Sequence, residues 1–99
     1  MEIRNNNELY RMTRLDNSII QAICEATDAL NDVRSARRNL LDFDPCADAN
    51  SDCEAIDQKL AEVEKELRAM ISGWTRYSNE IEDAIQAFDE EAIRNDASA

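Results

Sequence analysis

Residues 56–88 read IDQKLAEVEKELRAMISGWTRYSNEIEDAIQAF, and one spacing runs through all of them. Ile56, Leu60, Val63, Leu67, Met70, Trp74, Tyr77, Ile81, Ala84 and Phe88 follow one another in alternating steps of 4 and 3. Such steps hold side chains on one face of an α-helix and repeat with the heptad. Gly73 lies inside the run. A Gly within a helix costs about 1 kcal/mol relative to Ala. The seam nevertheless keeps its phase from Met70 to Trp74, where a turn would reset it. The spacing predicts a single helix through Gly73.

The same pattern precedes this stretch. Leu9, Met12, Ile19, Ile23, Ala26, Leu30, Val33 and Leu40 fit heptad seam positions, interrupted by Asp16 and Arg37. Asn6 or Asn7 is the expected N-cap, with Glu8 in the first turn, and Arg34, Arg37 and Arg38 suit the negative end of the helix dipole. Pro45 opposes helical geometry at Asp44. Ser51 followed by Glu54 forms a capping box for a second helix. The expected organisation is one helical domain over residues 1–99: a helix over 6–41, an acidic loop over 42–51, a helix over 52–94 and a frayed tail over 95–99.

Folded back at the loop, the two seams match. Leu30 falls opposite Val63, Ala26 opposite Leu67 and Ile19 opposite Trp74, as an antiparallel coiled coil requires. In this register Asp16 meets the hydroxyl of Tyr77, Arg37 meets Ile56 and snorkels to water, and Arg34 meets Asp57. Ala22 meets Gly73, whose missing Cβ would allow close backbone approach. The fold class read from this is all-α, a long antiparallel helical hairpin of coiled-coil type.

Apolar surface is left over. Leu15, Ala22, Ala29 and Ala36 recur beside the first seam, while Ile20, Leu41, Ile71 and Ile85 lie on the other flank. Bundle helices carry a wider apolar stripe than a two-stranded coiled coil. The surplus predicts a further helical layer, most simply a homodimer forming a four-helix bundle. The rival is a more compact monomer with helices broken near residues 16–18 and 73.

Composition narrows the class. Among 99 residues there is one Gly and one Pro, too few for a turn-rich β fold. The net charge is −11. Residues 1–41 are neutral, with six acids and six bases; residues 42–54 hold five acids and no base; residues 55–99 hold eleven acids and five bases. Direct nucleic-acid binding is not expected without a basic face. No apolar run reaches membrane-spanning length, and MEIRNNNELYRM has no signal-peptide apolar region. The expected location is the cytoplasm, with Cys24, Cys46 and Cys53 as reduced thiols. Oxidation of the pair flanking the loop, Cys46 and Cys53, would require their Cα atoms to lie within about 7 Å.

Chemistry finds little footing. With no His, the commonest general base and metal ligand is absent. One Gly cannot build a phosphate-cradling loop. Asp48-Ala-Asn50-Ser-Asp52 matches the start of an EF-hand loop, but Cys53 stands where the turn needs Gly and Lys59 where a bidentate Glu belongs. Trp74 and Tyr77 at heptad spacing read as core rather than as a ligand-stacking pair. No enzyme activity, cofactor or metal is expected.

The expected function is therefore a non-enzymatic helical interaction protein of assembly or adaptor type. It would bind itself or another protein through the apolar flank of Leu15, Ile20, Ala22, Ala29, Ala36, Ile71 and Ile85. The alternative starts from charge. In size and acidity the chain resembles phage- and plasmid-encoded counter-defence proteins, among them anti-CRISPR and anti-restriction DNA mimics. That resemblance implies an inhibitor that blocks a nucleic-acid-binding protein through Glu62, Glu66, Glu80, Glu82, Asp83, Asp89 and Glu90, joined by the loop acids Asp42, Asp44, Asp48 and Asp52.

Overall fold

The computed structural model describes the backbone of residues 1–42 and 47–98 and the side chains of residues 1–42 and 52–95. Two helices make up the described fold, α1 over Asn6–Asp42 and α2 over Ala47–Ser98. Neither is interrupted, so α2 passes through Gly73 and the break expected by the compact rival near residues 16–18 and 73 is absent.

The start of α1 has a local cause. The N-cap of α1 is Asn5, not Asn6 or Asn7: Asn5 Oδ1 accepts from the Glu8 N–H at 2.8 Å, and the Arg4 N–H donates to Glu8 Oε2 at 2.7 Å. This is a capping box displaced by one residue, in which the Glu reaches the N–H before the cap. Helix α2 starts at Ala47 rather than near Asp52 and ends at Ser98 rather than at residue 94. A capping box favours an entry where the chain enters a helix, but it does not force one there. At the far end no Gly or Pro stops propagation, which adds a hydrogen bond for each residue fixed.

The chain divides into two compact units, one of residues 1–23 with 73–99 and one of residues 24–72. Within each, an α1 segment runs antiparallel to an α2 segment, as a helical hairpin requires. In the first unit Ile3, Ile81 and Ala84 are buried, and Ile3 lies beside Phe88 and Ala92. In the second the buried apolar residues are Ala26 and Leu30.

The α1 seam is the one its periodicity predicts. Leu9, Met12, Asp16, Ile19 and Ile23 are buried or half-buried in the first unit, and Ala26, Leu30, Val33, Arg37 and Leu40 in the second. Helix α2 differs. Its Leu60, Leu67, Trp74, Ile81, Ala84 and Phe88 face inward as expected, but from Ile56 to Tyr77 the other half of its seam is rotated by one residue. Asp57, Glu64, Ile71, Ser78 and Ile85 are turned in, while Ile56, Val63, Met70 and Tyr77 remain 50%, 42%, 44% and 40% exposed.

Polar matching explains the rotation. Asp16 and Arg37 occupy α1 seam positions and need partners, since an unpaired buried charge is costly. The observed register supplies Ser78 to Asp16 and Asp57 and Glu64 to Arg37. Leaving four apolar side chains about half exposed forfeits roughly 1 kcal/mol each.

Candidate interaction surface

The polar contacts that set the register also define the sides of the helix pair. In the first unit, Ser78 Oγ donates to Asp16 Oδ1 at 2.5 Å, and both residues are buried. Tyr77, expected to serve Asp16, is exposed instead.

In the second unit, Arg37 Nε donates to Asp57 Oδ1 at 2.9 Å and Arg37 Nη1 to Glu64 Oε2 at 2.7 Å. Arg34 Nε reaches Glu64 Oε1 at 3.1 Å, and Arg68 Nη2 approaches the same oxygen at 3.5 Å. Arg37 therefore does not snorkel beside Ile56, and Arg34 pairs with Glu64 rather than Asp57. These arginines lie before the last turn of α1, which holds no basic residue. Carboxylates of α2, not the helix dipole, take up their charge.

The cluster shifts two ionisations. The hydrogen bond from Arg34 holds the Glu64 carboxyl below its ordinary range, helped by the charges of Arg68 and Arg37 and opposed by partial desolvation. The hydrogen bond to Asp57 raises Arg37 above its ordinary value, again against partial desolvation.

Gly73 does not mark a close approach to Ala22. A Cβ built on it meets nothing within 4 Å. Its place in α2 is open helix surface.

The residues of the expected apolar flank are distributed unevenly. Leu15 and Ile20 are exposed and Ala22 half-buried in the first unit; Ala29 is exposed and Ala36 half-buried in the second. Ile71 and Ile85 have rotated into the seam and are half-buried. In their place the structure exposes Ile56, Val63 and Met70, which sequence reasoning had assigned to the core. The sign of this in the sequence was the polar residue that follows Ile56, Val63 and Tyr77, namely Asp57, Glu64 and Ser78, at positions able to answer Arg37 and Asp16.

The acidic residues proposed for the alternative are all exposed: Glu62 and Glu66 in the second unit, and Glu80, Glu82, Asp83, Asp89 and Glu90 in the first. Asp42 and Asp52 are exposed as well. Asp44 and Cys46 of the proposed disulfide lie outside the described residues, as do the side chains of Asp48 and of Asn50 in the EF-hand-like run. Cys24 and Cys53 are free thiols. Among the described residues no helix is long and apolar enough to cross a membrane, and no cluster of three metal-ligating side chains occurs.

No protein-family model, curated protein or solved structure matches this chain.

Proposed function

We propose that the protein is a non-enzymatic helical interaction protein that binds a protein partner through an apolar helix face. The observation carrying this reading is the exposure of Ile56, Val63 and Met70 at heptad spacing on a regular helix. A regular apolar row beside a seam is the surface that accepts a further helix. A second copy of the chain, giving a four-helix bundle, or a helix of another protein satisfies it equally in shape. Such a contact buries apolar area and resists salt.

The test compares the native chain with Ala29→Glu and Val63→Glu variants. Solution mass and retention of partners from host lysate, washed at low and high salt, are measured alongside helicity. The expected result is loss of the salt-resistant association with helicity kept. Unchanged mass and unchanged retention in both variants would overturn the reading.

The second reading, an acidic inhibitor of a nucleic-acid-binding protein, is favoured by the exposure of every acid on the C-terminal part of α2 named for it. It predicts partners released by high salt and lost on reversing Glu82, Asp83, Asp89 and Glu90 to Lys.

A further inference from the structure

The unit of residues 24–72 separates its charges as well as its apolar surface. Arg34 of α1 and Arg68 of α2 converge on one oxygen of Glu64, so their two rows share one shoulder of the helix pair. Helical periodicity puts the rows flanking the other side of each seam on the opposite shoulder. Those rows are Ala29 and Ala36 on α1 and Ile56, Val63 and Met70 on α2, an apolar face with no charged side chain in it.

The border of this face is acidic. One turn from Ala29 along α1 stand Glu25 and Asp32. One turn from the α2 row stand Asp52, Lys59 and Glu66, all of them exposed. Four carboxylates thus surround the face against one ammonium, while Arg34, Arg37, Arg38 and Arg68 lie away from it. A second copy would bring the same acidic border against itself, and like charges facing one another disfavour that contact. A partner with the opposite charge beside an apolar stripe gains from both features.

We propose that this face binds an amphipathic basic helix of another protein. Its apolar stripe lies on Ile56, Val63 and Met70, and its lysines or arginines stand against Glu25, Asp32, Asp52 and Glu66. This rests on the interaction reading above and supplies the partner's chemistry. The helix-in-groove mode gives the partner anchors at i, i+3 or i+4, and i+7. Desolvation of the stripe supplies affinity, and the acidic border supplies steering and choice of partner.

The test titrates the full chain with a synthetic amphipathic helix of Leu and Lys, and with a Leu and Glu helix of the same pattern. The Lys helix is expected to bind about tenfold tighter or better, with affinity falling as salt rises. Val63→Lys and Met70→Lys, at exposed positions that leave the fold intact, are expected to abolish binding. Glu66→Lys is expected to weaken it about tenfold, while Glu54→Lys, on the Arg68 shoulder, leaves it unchanged. Equal binding of the two helices, or an equal loss from Glu54→Lys and Glu66→Lys, would overturn the proposal. A dimer of the chain alone that Val63→Lys dissociates would also overturn it, and would leave the interaction reading standing with a second copy as occupant. A monomer that binds neither helix would overturn both.

Discussion

Ser78 Oγ donates to Asp16 Oδ1 across the two helices, and the residues are only 5% and 6% exposed. A hydroxyl and a carboxylate so placed lock α1 and α2 at one relative rotation, because turning either helix by one residue leaves the carboxylate without its donor. Ser78→Ala is therefore expected to destabilise the protein by about 1–3 kcal/mol in chemical denaturation. Combining it with Asp16→Leu should recover much of that loss, since two apolar groups leave nothing unsatisfied.

Tyr77→Phe distinguishes the observed register from the one in which Tyr77 serves Asp16. With its ring exposed and its hydroxyl away from Asp16, the substitution should change unfolding free energy by no more than about 0.5 kcal/mol. A loss of several times that would show the hydroxyl to be bonded.

Gly73→Ala should stabilise the chain by about 0.5–1 kcal/mol, because Ala is the better helix former and its Cβ enters open space. The midpoint of thermal unfolding, followed by circular dichroism, should rise. A fall would indicate a neighbour pressed against the helix at this point.

Asn5→Ala should cost about 1 kcal/mol, as the side-chain acceptor for the Glu8 N–H is removed. The same change at Asn6 or Asn7, inside the first turn, should cost far less. Parallel urea titrations of the three variants would rank them.

The Glu64 cluster has an acid-dependent signature. The carboxyl is held below its ordinary range in the folded chain. Its contribution is therefore fully present above the unfolded carboxylate pKa of about 4.3 and is lost as pH falls through the lower folded value. Glu64→Gln should flatten the stability profile in that acid window and leave its slope near neutrality unchanged. Arg37 is shifted upward from an already high value, so its ionisation adds no slope there.

Local pattern made much of this molecule legible. The step of 4 and 3 predicted the α1 seam from Leu9 to Leu40 and the row of Leu60, Leu67, Trp74, Ile81 and Phe88, because those positions follow from helix geometry alone. The unbroken phase across Gly73 predicted a continuous helix, since helical hydrogen bonds are local and one Gly costs less than the ends that a break would create. The same periodicity also misled. Ile56, Val63, Met70 and Tyr77 are apolar and evenly spaced, so hydropathy drew them into the core.

What the sequence determined by itself was two helices, the seam of one and half the seam of the other, because those depend on residues a turn apart. The rotation of α2 was decided only in the tertiary structure. Asp16 finds Ser78 62 residues away and Arg37 finds Asp57 20 residues away, and no local periodicity records which polar groups must meet. Satisfying those two side chains turns Asp57, Glu64 and Ser78 inward. It leaves Ile56, Val63 and Met70 at the surface, and with them the face from which a partner can be inferred.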